Sequence, residues 1–532
     1  MAMLKRLSLA GGILRMKTVL NLCAVKISAM NSESGDFFTF LQSIFSTPNL
    51  GTVASEAKCK RFCNFYRALP DISTKAAFLS YLAQSHGINQ DNVIQGAQTL
   101  AVSQERGEAF VLKAMERLRA SMTPSYQSLL QQIGRIEGGV KFLVDLRSDI
   151  LNCITSSTSE LDSAHFQALN RLLQELLTLW FAVGFLELQR VTWTSPCDIV
   201  QKISDYEAVH PIRNWTDLKH RVGSYRRCYV FTHHSMPREP IVVLHTALTS
   251  EISSSIHSII HNPRFRASSS DSPLTEAAPP HEPLEEENTS EITTAVFYSI
   301  TSTQRGLKGV ELGNYLIKRV VHELQTEFPH IASFSSLSPI PGFRDWLMNQ
   351  INLQMHRARI GEEDSDQMLL TSAEMQTLEN CRQNHHSSIL EAFKHLVQSN
   401  QWLPRQEAVM AMKVPLLRLC ARYLYLEKRR GFALNPVANF HLANGAVLWR
   451  INFLADTSIR GLNQSCGLMV NYRYYLDIAE TNSQEYLLHQ RISASNDVLD
   501  LIGSDTTTFK TVATPARQNS ASSSPFRESG SE

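Results

Sequence analysis

The sequence predicts an all-helical N-terminal domain followed by a mixed α/β domain, and three observations carry this prediction. From residue 36 to about residue 186, apolar residues recur at helical spacing and glycine and proline are sparse. Near residue 191, β-branched and aromatic runs begin, bounded by turn residues. Farther along, a strand-like run, a glycine-bearing turn and a helix-like run follow one another directly, the order found in α/β units.

The composition supports two folded domains and excludes several classes of protein. The chain has 532 residues, 43% of them hydrophobic and 19% charged, which is enough apolar material for sizeable cores. Lys and Arg number 51 against 50 Asp and Glu, so there is no basic excess of the kind that binds nucleic acid. The longest strongly apolar run, residues 176–186, falls short of the roughly 20 residues of a membrane span. We therefore expect no nucleic-acid partner and no membrane span.

The two ends of the chain differ in composition from the rest. Residues 1–32 contain basic residues but no Asp or Glu, which is typical of a mitochondrial presequence. Lys26 interrupts the apolar core that a secretory signal would need. Residues 504–532 are rich in Ser, Thr and Pro and are predicted to be disordered. They end in Gly-Ser-Glu, which is not a peroxisomal signal, so we expect a mitochondrial matrix location, with a cytoplasmic form as the alternative.

The nine cysteines are scattered along the chain, and this odd, dispersed set does not resemble a secreted disulfide framework. Cys59 and Cys63 would share a helical face, but no second pair with zinc-ligand spacing follows them. We therefore predict no metal site. Cys197, in the loop-like segment Thr194–Cys197, is the cysteine best placed for an interchain disulfide.

Residues 33–182 are predicted to form the helical domain. Periodic apolar residues predict helices over Lys75–Gln84, Gln104–Ala120 and Asp162–Leu186. A domain of this kind is most simply a packing or oligomerisation domain. No group of residues in it indicates any chemistry.

Residues 183–503 are predicted to form the α/β domain. Tyr229–His233 and Ile241–His245 are predicted to be neighbouring strands joined by a proline-containing turn. Thr294–Thr301 is predicted to be a further strand. Residues 263–290, which are rich in Ser and Glu, are predicted to be a disordered surface insert.

The segment Gln304–Gly313, between that last strand and a helix, has the chemistry of a phosphate site. Gly306 and Gly309 let the backbone approach an anion, and the helix N-terminus offers unpaired N–H groups. Arg305 and Lys308 add positive charge. The pattern is neither a Walker A loop nor a dinucleotide fingerprint. It resembles instead the coenzyme A pyrophosphate turn of the N-acetyltransferase superfamily.

Two further segments hold a hydroxyl and an imidazole. Phe334–Phe343 ends a strand and opens a helix, and its prolines and glycine restrict the backbone around Ser338. Asn435–Arg450 is predicted to be a hairpin that turns at Asn444–Gly445, which places His441 near the turn. No G-x-S-x-G elbow is present to make Ser338 a hydrolase nucleophile. The clusters together favour polar or proton-transfer chemistry on a coenzyme A thioester.

Segments spread over residues 134–501 closely resemble those of a known family, malonyl-CoA decarboxylase. These segments are Arg190–Trp193, Glu207–Pro211, Arg226–Tyr229, Gly309–Gly313, Ser335–Phe343, Asn435–His441 and Ser465–Tyr474. The resemblance implies an oligomerising helical domain followed by a domain with the N-acetyltransferase-like fold. One departure is His234, where some members carry a cysteine, and it puts a family-wide disulfide network in doubt.

The resemblance also implies a substrate and residue roles. The residues that it implies bind the phosphates of malonyl-CoA are Lys308, Gly309, Val310, Glu311, Leu312, Gly313 and Asn314. It implies that Ser338 and His441 are catalytic and that Tyr474 lies near the acyl pocket. It further implies a homo-oligomer, which we expect to be a tetramer formed through the helical domain.

The expected reaction is the conversion of malonyl-CoA to acetyl-CoA and CO2, in the control of fatty acid metabolism. Loss of CO2 leaves an enolate, whose oxygen must be stabilised by hydrogen-bond donors. We expect Ser338 and His441 to hold the malonyl group and His441 to protonate C2, although the residues alone leave donor and acceptor open. No cofactor is expected, because the thioester itself accepts the electrons. The alternatives are an acyl-CoA-dependent N-acyltransferase and a non-enzymatic acyl-CoA-binding protein.

Overall fold

The computed structural model describes residues 37–46, 52–157, 159–260, 287–310, 313–361, 368–381 and 388–503. The predicted presequence, the predicted C-terminal tail and residues 263–286 of the predicted insert lie outside this part of the chain. Two compact units divide the chain, and each is described by itself. The first comprises Met1–Glu187, Phe231–Val242 and Ser302–Leu312, and the second Leu188–Val230, Val243–Thr301 and Gly313–Glu532.

The N-terminal part of the first unit is helical, as predicted. Its helices are α1 (37–45), α2 (Thr52–Ala68), α3 (Ile72–Ser85), α4 (Gln90–Ser103), α5 (Glu108–Ser121), α6 (Tyr126–Ile133), α7 (Gly139–Ser156) and α8 (Glu160–Trp180). The helix predicted over Gln104–Ala120 is confirmed from Glu108 onward as α5, but it does not begin at Gln104. A 3₁₀ turn ends at Arg106, and Gly107 has a φ of +90°, so the chain changes direction before α5 begins.

One hydrophobic core holds these helices together. Phe142, Leu146 and Ile150 of α7 and Leu169 and Leu173 of α8 lie in it, at the spacing that gives each helix one apolar face. Cys59 and Cys63 are buried in the same core. Both cysteines therefore pack in the core as small apolar side chains.

Helix α8 is shorter than predicted. Its last residue is Trp180, and Phe181 is the buried C-cap, so the helical prediction up to Leu186 is wrong. Gly184 lies in a short 3₁₀ turn, and Leu186 begins the first strand. A glycine inside a helix is unfavourable, which helps to explain why the periodic apolar pattern does not extend the helix.

The second unit contains most of a mixed sheet and the remaining helices. Its elements, some of whose end residues belong to the first unit, are β1 (Leu186–Val191), α9 (Cys197–Tyr206), α10 (Trp215–Arg221), β2 (Arg226–His233), β3 (Val242–Thr249), α11 (Ile256–Ile260), β4 (Thr294–Ser302), α12 (Gly313–Glu327), β5 (Ser333–Ser336), β6 (Ser338–Pro339), α13 (Phe343–Arg359), α14 (Ser372–Glu379), α15 (Ile389–Ser399), α16 (Gln406–Tyr425), β7 (Lys428–Arg429), β8 (Phe432–Ala433), α17 (Pro436–Ala443), β9 (Val447–Asn452), α18 (Ile459–Ser465), β10 (Met469–Tyr474), α19 (Ala479–His489) and α20 (Asn496–Ile502). Among the described helices, none is long and apolar enough to cross a bilayer.

The sheet mixes parallel and antiparallel pairing, in the order β1-β2-β3-β4-β5-β10-β6, with β9 also paired to β10. β4 and β5 are parallel, whereas β10 is antiparallel to β5, β6 and β9. The two strands predicted over residues 229–233 and 241–245 correspond to β2 and β3, which are neighbours, so this prediction is confirmed. The mixed α/β class is confirmed as well.

The predicted hairpin over Asn435–Arg450 is wrong, because its first half is helix α17. Asn435 caps this helix by accepting hydrogen bonds from the N–H groups of Val437 and Ala438, and Pro436 is its first residue. Gly445 has a φ of +80°, but Asn444 has a φ of −88°, so this pair ends a helix instead of forming a two-residue hairpin turn. His441 therefore lies in the last turn of a helix.

Buried histidines are a feature of the second unit. Burial, the main cause, lowers the pKa of His210 to about 4, of His245 to about 4 and of His441 to about 3. The carboxylate of Glu207, whose Oε2 lies 3.4 Å from Nε2 of His245, opposes part of this shift for the first two. All three imidazoles are therefore neutral in the folded protein at neutral pH.

These shifts predict a loss of stability in acid. Above pH 6.5 both the folded and the unfolded states hold neutral imidazoles, but below it only the unfolded chain binds protons, until the pH approaches the lowered values. Each histidine should then reduce the free energy of unfolding by about 2 kcal/mol near pH 5. We expect His245→Phe to weaken this acid sensitivity, measured as the difference between urea unfolding free energies at neutral pH and near pH 5. His322→Gln, at an exposed position of α12, should leave the difference unchanged, and an unaltered difference in His245→Phe would contradict the prediction.

Candidate active site

The strand pair β5–β6 and its partner β10 place four side chains on one face of the sheet. Phe334 pairs with Tyr474 and Ser338 with Val470, so the antiparallel register is the same in β5 and β6. Side chains alternate between faces along a strand. Ser336 and Ser338 therefore share a face with Tyr472 and Tyr474, while residues between them point to the other face.

Helix α17 brings His441 onto this face. Nε2 of His441 lies 2.9 Å from Oγ of Ser338, and Nδ1 lies 2.7 Å from the hydroxyl of Tyr474. Ser338 is 5% exposed, His441 3% and Tyr474 5%. The structure thus brings together three residues that lie far apart in the sequence, and both nitrogens of the imidazole face a hydroxyl.

The hydrogen bonds form a continuous chain of polar groups. The hydroxyl of Ser338 donates to Oγ of Ser336 at 2.9 Å, and Ser336 also accepts from the backbone N–H of Tyr472 at 3.3 Å. With Ser338 donating to Ser336, Nε2 of His441 donates to Ser338 and Nδ1 accepts from Tyr474. The reverse arrangement, with Ser338 donating to Nε2, requires Nδ1 to carry the proton. This series of hydrogen bonds can therefore move a proton in either direction between the hydroxyls of Ser338 and Tyr474.

The electrostatics of the site keep both of its titratable groups neutral. Burial lowers the pKa of His441 to about 3, and burial raises the pKa of the Tyr474 phenol far above its usual value. A neutral imidazole can donate one hydrogen bond and accept another. The site therefore offers an uncharged N–H or O–H donor in a dry environment, where hydrogen bonds to developing charge are strong.

Aromatic rings fix the orientation of the imidazole. The rings of His441 and Tyr472 are stacked, with centroids 4.5 Å apart and planes 17° apart, and Phe440 packs edge-on at 5.1 Å. The ring of Tyr474 in turn packs edge-on against Phe297 of β4, at 6.3 Å. With both nitrogens hydrogen-bonded and one face stacked, His441 has little rotational freedom.

Asn435 joins the helix that carries His441 to the loop that follows Ser338. Its Nδ2 donates to the carbonyl of Pro341 at 2.9 Å, while its Oδ1 caps α17, and the side chain is 1% exposed. Tyr423 donates to the same carbonyl at 3.1 Å. Sequence reasoning missed both residues. The pattern of an N-capping Asn before Pro was the available signal for α17, whereas nothing local points to Tyr423.

The predicted phosphate turn belongs to the first unit as far as Val310, the last residue described there. Residues Arg305–Leu307 form a 3₁₀ turn, and Gly309 has a φ of +79°, which favours glycine. The side chains of Arg305 and Lys308 are exposed, whereas Val310 is buried. Glu311 and Leu312 lie outside the described residues. Gly313 and Asn314 are the first two residues of α12, in the second unit.

The remaining predictions concern Cys197 and metal ions. Cys197 is the first residue of α9, and its thiol is exposed and free. An interchain disulfide at Cys197 stays a prediction. Within the described ranges, no group of three or more His, Cys, Asp or Glu side chains is arranged to hold a metal ion.

Comparison with protein families identifies both parts of the chain. Residues 87–181 match the malonyl-CoA decarboxylase N-terminal domain, and residues 184–512 match the malonyl-CoA decarboxylase C-terminal domain. The mitochondrial malonyl-CoA decarboxylase of Rattus norvegicus is 47% identical over 450 residues, which are 84% of this chain and 86% of the relative. That of Anser anser anser is 46% identical over 460 residues, 86% of each chain.

Solved structures agree with this assignment. The crystal structure of malonyl-CoA decarboxylase from Rhodopseudomonas palustris has a TM-score of 0.71 and 30% identity, and the match covers 88% of this chain and 99% of that one. The crystal structure of malonyl-CoA decarboxylase from Agrobacterium vitis has a TM-score of 0.70 and 29% identity, and the match covers 88% of this chain and 100% of that one. The two family models together span most of the chain. The protein belongs to the malonyl-CoA decarboxylase family.

Proposed function

We propose that this protein is a malonyl-CoA decarboxylase, a carboxy-lyase that converts malonyl-CoA to acetyl-CoA and CO2. The observation that carries the proposal is the Ser338–His441–Tyr474 chain, in which a neutral, buried imidazole is held between two hydroxyls. Membership of the family supports the substrate. The products place the reaction in fatty acid metabolism, which uses both thioesters.

In the proposed reaction, the bond between C2 and the malonyl carboxylate breaks, and its electron pair passes into the thioester as an enolate. Ser338 and His441 hold the malonyl group through hydrogen bonds, and their donors stabilise the charge that develops on the thioester oxygen. Nε2 of His441 then gives its proton to C2, which forms the new C–H bond of acetyl-CoA. Nδ1 takes the proton of the Tyr474 hydroxyl while a water molecule gives a proton to that oxygen in the same step, so the buried phenol does not become an anion. The hydroxide left from the water combines with the released CO2 as bicarbonate. The thioester is the only electron acceptor, so no metal or organic cofactor takes part.

We also propose that the glycine turn binds the diphosphate of the substrate. Exposed Lys308 and Gly309 would contact it, followed by the backbone of Val310 and the N-terminus of α12 at Gly313 and Asn314. The positive φ of Gly309 supports this role, because it permits close approach of the backbone to an anion. Glu311 and Leu312 keep their predicted part in this turn.

Product analysis tests the proposed function. The purified protein, incubated with malonyl-CoA and no amine, should release acetyl-CoA and CO2, both identified by mass spectrometry. An N-acyltransferase would instead release free coenzyme A, detected by a thiol reagent, and only when an amine is supplied. A non-enzymatic binding protein would return malonyl-CoA unchanged, and either of these outcomes would overturn the proposal.

We further infer a mitochondrial homo-oligomer, expected to be a tetramer, assembled through the helical region. The support for assembly is a set of exposed apolar side chains on α4 and α5, namely Ile94, Val102, Phe110, Leu112 and Met115. Helices α4 and α5 contact each other, and a contiguous exposed apolar patch is typical of an interaction surface. The acid-free residues 1–32 and the mitochondrial names of the relatives support the location. Light scattering on the purified protein measures the number of chains.

A further inference from the structure

A buried arginine binds the backbone carbonyls of the glycine turn. Arg147 of α7 is 1% exposed, and its Nη1 and Nη2 donate to the carbonyl oxygens of Gly306 at 2.5 Å and Lys308 at 2.7 Å. Its Nε donates to Oδ1 of Asn170 in α8 at 3.0 Å. All of these residues belong to the first unit. A single planar guanidinium therefore ties two carbonyls of the turn to both long helices of that unit.

Two further contacts fix the same turn. Nε2 of Gln174, one turn beyond Asn170 on α8, donates to the carbonyl of Gly309 at 2.8 Å. At Gly306 a Cβ atom would lie 1.8 Å from the carbonyl oxygen of Val144, so only glycine lets the turn pack directly on the backbone of α7. The carbonyl side of the turn therefore faces α7 and α8.

This arrangement sets the direction of a backbone donor. In a trans peptide the C=O and N–H groups point in opposite directions, and no described peptide bond is cis. Because Arg147 binds the carbonyl of Lys308, the N–H of Gly309 in the same peptide unit points away from it. That N–H donates to no residue in the part of the chain that the structure describes. The exposed side of the turn thus presents a free amide and the side chain of Lys308.

The charge of Arg147 is not neutralised by the groups that it contacts. Among the described residues, the oxygens that accept from it are the neutral amide oxygens of Gly306, Lys308 and Asn170. Burial lowers the pKa of Arg147, but an arginine in a protein stays protonated. A buried positive charge acts strongly on its surroundings, because little water screens it. It also polarises the carbonyls that it binds, which makes the amide of Gly309 a better donor to an anion.

We propose that Arg147, supported by Asn170 and Gln174, is a positioning residue that presents the glycine turn to the diphosphate of the coenzyme A thioester. This role rests on the function proposed above. It gives the helical region, for which the sequence indicates only packing and assembly, a part in substrate binding. Arg147, Asn170 and Gln174 do not act on the reacting malonyl group. Their effect is therefore on affinity for the nucleotide end of the substrate.

Two substrates separate this role from a general structural one. Malonyl-CoA carries the diphosphate, and malonyl-pantetheine has the same thioester without it. In Arg147→Met and in Gln174→Met we expect the KM for malonyl-CoA to rise about 10- to 100-fold and 3- to 10-fold respectively, the scale of losing charged and neutral hydrogen bonds. The kcat for malonyl-CoA should change by less than about threefold, and kcat/KM for malonyl-pantetheine should stay unchanged. Arg147→Lys should lie between Arg147→Met and the native protein, because it keeps the charge but not the planar fork.

Arg171→Met is the matched control, since Arg171 is an exposed cation on α8 three residues before Gln174. It should leave both substrates unaffected. Equal losses on both substrates, or no change in KM for malonyl-CoA, would overturn the inference. If Arg147→Met fails to fold, the comparison of the two substrates in Gln174→Met tests the inference by itself. If the native protein decarboxylates neither substrate, the proposed function is wrong. The role of Arg147 is then tested by calorimetry, which compares the affinities of the native protein and the variants for coenzyme A and for pantetheine.

Discussion

Replacing His441 by Asn should lower kcat/KM for malonyl-CoA by about 10³-fold, because it removes both a general acid and a donor to the enolate oxygen. The imidazole bridges Ser338 and Tyr474 with bonds of 2.9 and 2.7 Å, and the shorter amide cannot reach both hydroxyls at once. The loss should appear in kcat more than in KM, since the interaction forms mainly in the transition state. Steady-state kinetics with product detection measure both constants.

His245→Phe is the control for this change. It removes another fully buried imidazole from the same unit, one with no contact to Ser338, and it should leave kcat within about threefold of the native value. Tyr474→Phe should give an intermediate loss, because it removes the group that replaces the proton at Nδ1 but keeps the ring. Native turnover in His441→Asn would show that the proton reaches C2 by another route.

The pH profile gives a second test of the same residue. Because burial lowers the pKa of His441 to about 3, the imidazole keeps one charge state from about pH 6 to 8, and it should cause no inflection in kcat/KM there. An inflection near pH 6.5 that disappears in His441→Asn would show instead that the imidazole is protonated during turnover. The neutral-donor mechanism would then be wrong.

The sequence predicted the fold class and much of the local setting of the site. Ser338 begins the two-residue strand β6, which lies between β5 and α13, and the prolines and glycine of Ser338–Gly342 permit few backbone conformations there. The glycine turn does lie between β4 and α12. These features depend on short stretches of chain, in which residue type and backbone geometry are closely linked.

His441 shows where local signals conflict. Asn444–Gly445 is a strong hairpin signal, but the capping Asn435 followed by Pro436 starts a helix that ends at the same pair. Glycine serves a helix end and a hairpin turn equally well. The helix is the outcome here, because its cap is also fixed by the bond from Asn435 to Pro341, a contact across 94 residues.

The partners of the site could not be predicted from spacing. Tyr474 meets His441 only because β10 pairs with both β5 and β6 in one register. Arg147 meets Lys308 across 161 residues. Such contacts follow from strand order and helix packing in the folded chain, and no local pattern specifies which distant residues they join.

Ser338→Ala should lower kcat/KM by about 10²- to 10³-fold, the usual effect of removing one donor aimed at developing negative charge. The serine hydroxyl is the hydrogen-bonding partner of Nε2 and also donates to Ser336. Without it, the imidazole has no fixed partner at Nε2 and the malonyl group loses one of the two residues that hold it. The free energy of unfolding should fall by about 1 to 3 kcal/mol, because a buried nitrogen loses its partner.

The neighbouring serine provides the control for Ser338→Ala. Ser335 is equally buried, but its hydroxyl bonds the carbonyl of Tyr472 and lies on the other face of β5. Ser335→Ala should therefore cost stability on the same scale and leave kcat within about threefold. Urea unfolding and steady-state kinetics on the two variants separate these effects. If both serine variants lost activity equally, the loss would come from damage to the strand, and Ser338 would have no role in the chemistry.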